Sequence, residues 1–209
     1  GDVPPSAYVV LSAAVRRRTE DNSDSAVLVV AGTHLRWEYG DGFGGAAAGK
    51  PLQALAAVRH LWQHVVDTGA IGWTLVGDFN SRPDDASYEL LTLGKLSKGH
   101  AQLLSRIDHD LRLPCDLLQS AFKIANGCEP RFTRKKDMPA TEFCLDYVFV
   151  GGSITAIAAG FGAGDPPYGD TPDDKVPSLP NAEWPSDHLP LVVDIIHSEL
   201  AVLKRQRIA

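Results

Sequence analysis

Four short polar signatures punctuate the chain: Thr33-His34-Leu35, Gly77-Asp78-Phe79-Asn80-Ser81, Leu145-Asp146-Tyr147 and Pro185-Ser186-Asp187-His188. Each lies beside the end of an apolar run, the first two closing one and the last two leading into one, where layered α/β proteins place their sites. Carboxylates, a neutral amide and imidazoles are the groups that phosphoester hydrolysis calls for. That reaction needs an activated water, a cation to draw off charge and donors to the phosphoryl oxygens. Taken singly, each signature is ordinary. An Asp or Asn after a strand is usually turn chemistry, a lone His usually serves structure, and an Asp-His dipeptide is common by chance.

The elements that must hold these residues can be read from periodicity. Ala7 to Leu11 and Ala26 to Val30 read as strands joined by a polar turn, the second apolar enough to be covered on both faces. Gly40 to Gly49 reads as a loop, and Pro51 opens a helix to about Asp67 with Leu52, Leu55, Trp62 and Val65 on its core stripe. Trp73 to Val76 is a strand, Ala86 to Leu91 a short helix, and Asp116 to Ile124 a further helix. Leu145 to Val150, Ile154 to Ala159 and Leu189 to Ile196 are strands, and Gly162 to Trp184 is an aperiodic excursion. Strands alternating with amphipathic helices give an α/β or α+β layered domain.

Composition narrows the function classes. An apolar fraction of 44% in 209 residues is enough for a core, and no apolar run is long enough to span a membrane as a helix. A net charge of −6 argues against a protein that grips long duplexes through phosphate neutralisation, and suits a single strand, a nucleotide or a small phosphoester. Of two basic clusters, Arg16 to Arg18 reads as solvated surface. Arg131 to Lys136 precedes the Leu145 strand and is either solvated loop or a contact to phosphate, represented by Arg134. Cys115, Cys128 and Cys144 are spaced as neither a disulfide framework nor a zinc site, which points to free thiols in a reducing compartment, cytoplasmic or mitochondrial. His60 and His64, one helical turn apart, read as a surface pair, and Trp37 and Trp184 as core or rim packing or as base-stacking residues.

Taken together and in order, T-H-L, G-D-F-N-S-x-P, L-D-Y and P-S-D-H resemble the second half of the endonuclease/exonuclease/phosphatase superfamily. The longer strings G-D-F-N-S-R-P-D-D-A-S-Y-E-L-L and L-P-N-A-E-W-P-S-D-H-L-P-L are similar to its deadenylase branch, which includes nocturnin, the Angel proteins and the 2′,5′-phosphodiesterase. The resemblance covers about Ala7 to Ile196. It implies a four-layer sandwich of two packed β-sheets flanked by helices, with residues 1–209 the C-terminal portion of one domain. It also implies roles. Asp78 orients or deprotonates the attacking water, and Asn80, on the same side of an extended segment, orients that water or donates to the phosphate. His34 donates to a non-bridging oxygen. Asp146 fixes the ring of His188, which contacts the phosphate as an imidazolium, and Asp187 offers a hard oxygen to magnesium or manganese.

The superfamily's earlier half carries an Asn at the end of the first strand and a Glu, usually in a Q-E pair, as principal metal ligand. Neither pattern occurs here: Glu20 and Glu38 are the only glutamates before Asp78, and neither follows an apolar strand in that way. The chain opens at Gly1 and its sole methionine is Met138, as expected of a processed form or part of a longer chain. Such a portion would expose apolar sheet surface and strand edges. It is therefore expected to be covered by its missing N-terminal half or by another polypeptide, and to bind magnesium poorly alone. Two functions follow: a magnesium-dependent 3′-exoribonuclease or nucleotide phosphodiesterase with poly(A) as leading substrate, or a non-catalytic member that scaffolds a larger ribonucleoprotein assembly.

Overall fold

The computed structural model describes residues 9–16, 26–36, 49–102, 107–115, 117–137, 140–161, 179–182 and 185–198. The glycine-rich stretch before Gly49, most of the excursion from Gly162, and Trp37 and Trp184 lie outside the described residues. The elements run β1 (Val9–Arg16), β2 (Val27–His34), α1 (Lys50–Thr68), β3 (Gly72–Asp78), α2 (Ala86–Leu93), β4 (Lys95–Leu96), β5 (Leu111–Arg112), β6 (Gln119–Ser120), α3 (Ala121–Asn126), β7 (Arg134–Asp137), β8 (Ala140–Phe143), β9 (Asp146–Gly152), β10 (Ile154–Phe161) and β11 (Leu191–His197).

The central sheet has the order β1-β2-β3-β9-β6, with β2 and β3 parallel and the other neighbours antiparallel. The parallel pair needs a crossover, and α1 makes it. Pro51 lies in the first turn of α1, where its missing N–H costs nothing, and the left-handed Gly69 ends the helix. Ala54, Val58, Leu61 and Val65 recur at helical spacing and pack on Val29, Ala31, Trp73 and Leu75 of the sheet. Full burial of each Val or Leu among them contributes about 1.5–3 kcal/mol. Leu52 and Trp62, expected on the same stripe, end half-buried at its margins.

The opposite face of the sheet meets a second, two-stranded sheet formed by β10 and β11. Leu28, Val148 and Val150 pack there with Ile154, Ala156, Val193 and α3. This is a layered α/β arrangement, as the strand-helix alternation implies. The second sheet stops short of β1, however. On the β1–β2 half of that face Val9, Leu11, Val15 and Val30 stay exposed, Leu11 at 73%. The apolar run of β2 is therefore covered fully on one face and only in part on the other.

Two local expectations shift for physical reasons. The helix expected from Asp116 begins only at Ala121, because Gln119 and Ser120 pair with β9 first and the Ser120 hydroxyl then caps the helix at the Lys123 amide. The basic stretch from Arg131 is not a loop: its second half is β7, paired with β8, and Lys135 meets Glu142 across the ladder at 2.9 Å.

Candidate active site

The register of the central sheet brings three of the four signatures into one row. His34 ends β2 opposite Asp78 at the end of β3, and Asp78 lies opposite Asp146 at the start of β9. Residues directly across a ladder share a face, so the three side chains stand on the face opposite α1. Gly77 makes this close approach possible. Its φ is 134°, and a Cβ there would lie 1.9 Å from the Thr33 carbonyl oxygen, so only glycine fits. Beneath the row, Phe79, Tyr147, Phe149 and Tyr88 form a buried aromatic cluster with centroid separations of 5.2 to 5.9 Å. Such pairs add about 0.5–1.5 kcal/mol each beyond area burial and give the row a rigid floor.

The fourth signature arrives from far along the chain. Arg134 and His188 form an isolated antiparallel bridge, flanked by hydrogen bonds from the Leu189 amide to the Thr133 carbonyl (2.7 Å) and from the Lys135 amide to the Asp187 carbonyl (3.1 Å). The segment Pro185 to Leu189 is thereby laid along the start of β7. His188 Nδ1 donates to Asp146 Oδ2 at 2.8 Å, and its Nε2 faces Asp78 Oδ2 at 3.9 Å. His34 Nε2 approaches the same Asp78 oxygen to 3.3 Å. The other Asp78 oxygen accepts the Asn80 amide at 2.8 Å. One oxygen of Asp78 is thus tied to the turn while the other faces both histidines.

The electrostatics follow from this crowding. Burial raises the Asp78 pKa above its usual value, and the neighbouring Asp146 raises it further, against the Asn80 amide and the two histidines. The hydrogen bond to Asp146 raises the His188 pKa above 6.5, over the opposing effect of burial. Asp78, Asp146 and His188 offer ligand atoms within 4.8 Å of one another, the one such group among the described residues. Two half-buried carboxylates side by side are short of positive charge, so the site suits a divalent cation.

The remaining expected residues are placed differently. Asn80 does not extend the strand: it is left-handed at φ 47°, and its amide nitrogen donates to the buried Leu35 carbonyl at 2.8 Å. The same-side geometry of an extended segment therefore fails, because the chain turns at residue 80. Asp187 is turned to Arg134, whose Nε lies 3.1 Å from its carboxylate, and it is outside the cation-binding group. Arg134 is close to the site but engaged with Asp187. His60 and His64 are bridged by the Ser12 hydroxyl at 2.9 and 2.8 Å, away from the row.

One residue at the site carries no signal in the signatures. Thr133 is fully buried and its hydroxyl lies 2.6 Å from Asp146 Oδ2. Its one mark in the sequence is its place in the basic stretch before Leu145.

No family model matches the chain. Human 2′,5′-phosphodiesterase 12 is 28% identical over 188 residues, 89% of this chain and 28% of that protein. The CCR4-Not complex 3′-5′-exoribonuclease subunit Ccr4 of Aspergillus terreus is 30% identical over 120 residues, 57% of this chain and 17% of its own. Among solved structures, an endonuclease/exonuclease/phosphatase from Bacteroides vulgatus superposes with a TM-score of 0.54 at 15% identity, covering 91% of this chain and 56% of that one. The chain has the fold of the endonuclease/exonuclease/phosphatase superfamily. Within that superfamily its similarity runs to the deadenylase-like branch. The chain spans less than a third of the length of the curated relatives it matches.

Proposed function

We propose that the protein containing this chain is a divalent-metal-dependent phosphodiesterase that hydrolyses internucleotide linkages of RNA, with a 3′ poly(A) end as the first substrate to test. The observation that carries this reading is the convergence of His188 and His34 on one oxygen of Asp78, with His188 oriented by Asp146. In this reading Asp78 Oδ2 orients the attacking water and accepts its proton, a task helped by a raised proton affinity. His188, whose proton affinity the hydrogen bond to Asp146 raises, donates from Nε2 to a phosphoryl oxygen. His34, 71% exposed, donates from the opposite side of Asp78. Asn80 holds the turn after Asp78, and Asp78 and Asp146 are the oxygens that would hold the cation. Magnesium or manganese would supply Lewis-acid stabilisation of the phosphoryl charge.

One curated relative is named a 2′,5′-phosphodiesterase and the other a 3′-5′-exoribonuclease, which supports the substrate class. The test is release of AMP from 3′-labelled poly(A) and from a 2′,5′-linked adenylate by the full-length protein with magnesium or manganese. Activity that chelator abolishes and that Asp78→Ala reduces at least about 100-fold is expected. No hydrolysis of either, or an unchanged Asp78→Ala enzyme, refutes the reading.

A second reading has one observation in its favour. The open apolar face at Val9, Leu11, Val15 and Val30 fits a surface covered by further strands or by another polypeptide. A non-catalytic scaffold in a ribonucleoprotein assembly would use the fold this way, and it predicts an intact complex with Asp78→Ala and no hydrolysis by the wild type.

A further inference from the structure

We infer that Thr133 is a positioning residue of the site: its hydroxyl locks the Asp146 carboxylate in the orientation that holds the His188 ring. The inference rests on the phosphodiesterase reading for its kinetic consequence, but its geometric part stands by itself.

A threonine hydroxyl has one donor and two acceptor sites. At Thr133 all three are accounted for. The backbone amides of Leu145 and Asp146 both point at Oγ1, at 2.9 and 3.0 Å. Amides can only donate, so they fill the two lone pairs. The single hydroxyl proton then has Asp146 Oδ2, 2.6 Å away, as its acceptor. That same oxygen receives His188 Nδ1–H at 2.8 Å. Asp146 is thus gripped twice at Oδ2, and its carboxylate cannot rotate without breaking both bonds. Thr133 is fully buried, so no water competes for these contacts.

The backbone around Thr133 serves the same end. The Thr133 amide donates to the Phe143 carbonyl at 2.9 Å, while its carbonyl accepts the Leu189 amide at 2.7 Å. The next residue, Arg134, bridges to His188 and pairs through its guanidinium with Asp187 at 3.1 Å. One short segment therefore registers the two ends of the imidazole–carboxylate pair: its side chain sets Asp146, and its backbone with Arg134 sets the Asp187-His188 loop. In this arrangement the Arg134–Asp187 pair anchors the loop.

The test compares Thr133→Val, which keeps the shape and removes all three hydrogen bonds, with Thr133→Ser, which keeps the hydroxyl, in the full-length protein. Partners that orient a site residue through hydrogen bonds typically cost about 10- to 100-fold in activity when removed. The expected result is a kcat on labelled poly(A) reduced by that factor in Thr133→Val, with KM within about threefold, and recovery to within about fivefold in Thr133→Ser. The second readout is the hydrogen-bonded Nδ1 proton of His188 in ¹⁵N-edited NMR, present in wild type and Thr133→Ser and lost in Thr133→Val. That signal is independent of catalysis. If the wild type hydrolyses nothing, the function proposal fails while the NMR comparison still decides the role of Thr133. Should Thr133→Val not fold, Thr133→Cys, similar in volume and a poor donor, replaces it. An unchanged His188 proton in the hydroxyl-free variant, or a Ser variant as impaired as the Val one, overturns the inference.

Discussion

Gly77→Ala should be among the most damaging one-carbon changes in this protein. The added Cβ would lie 1.9 Å from the Thr33 carbonyl oxygen, whereas ordinary contact begins at 3.4 Å, so β2 and β3 must part by about 1.5 Å at that rung. The hydrogen bond from the Leu35 amide to the Asp78 carbonyl, 2.9 Å long and next in the ladder, would not survive such a displacement. A non-glycine residue at φ 134° costs about 1–3 kcal/mol, and a buried backbone group left without its partner about 1–3 more. The sum is a loss of roughly 2–6 kcal/mol, on the order of 10 °C in Tm for a chain of this size at the middle of that range. Because Asp78 is the next residue, its distance to His34 should also grow and activity should fall. Gly32→Ala is the control: it lies one rung away on β2, opposite Val76, and nothing lies within 4 Å of the new Cβ. Alanine there should be neutral or stabilising by up to about 1 kcal/mol. Urea denaturation followed by circular dichroism measures both. If Gly77→Ala unfolds within about 1 kcal/mol of wild type, or Gly32→Ala loses as much, the steric account of this strand pair is wrong.

Other consequences are open to measurement. Asp146→Asn removes the main cause of the raised His188 pKa, so an NMR titration of the ring in chelator should show a lower value than wild type. A histidine with a raised folded pKa contributes stability that is full below 6.5 and lost as pH rises through the folded value. The stability gap between wild type and His188→Gln should therefore be widest in acid and close towards alkaline pH, and a gap that widens instead would contradict the pairing. Asn80→Asp replaces the amide that donates to the buried Leu35 carbonyl with an oxygen, and should cost at least about 2 kcal/mol, more at pH 8 than at pH 4 where the acid can still donate. Manganese should raise the Tm of the full-length protein in a saturable way, by the equivalent of about 2.7 kcal/mol at 100 times Kd, and Asp78→Asn should abolish the rise. A rise of equal size in that variant would place the cation elsewhere.

Much of the architecture is written locally and could be read from residue types. Helix α1 follows from Pro51, a four-residue-spaced apolar face and Gly69; strands β2, β3 and β9 follow from apolar runs that end in turn chemistry. The order of T-H-L, G-D-F-N, L-D-Y and P-S-D-H carries the resemblance to the superfamily because each string lies beside a strand end, the first two where β2 and β3 stop and the last two where β9 starts and just ahead of β11. Pairing was not legible. Nothing in the runs around His34, Asp78 and Asp146 states which strands adjoin or in what register, since ladder hydrogen bonds are made by backbone atoms common to all residues. The structure alone decided that these three share a row, that Asn80 turns its amide to Leu35, and that Asp187 faces Arg134. It alone revealed Thr133, whose value lies in a hydroxyl 13 positions from Asp146 in sequence and 2.6 Å from it in space. Local chemistry determines which groups a chain can offer, whereas long-range packing determines which of them meet.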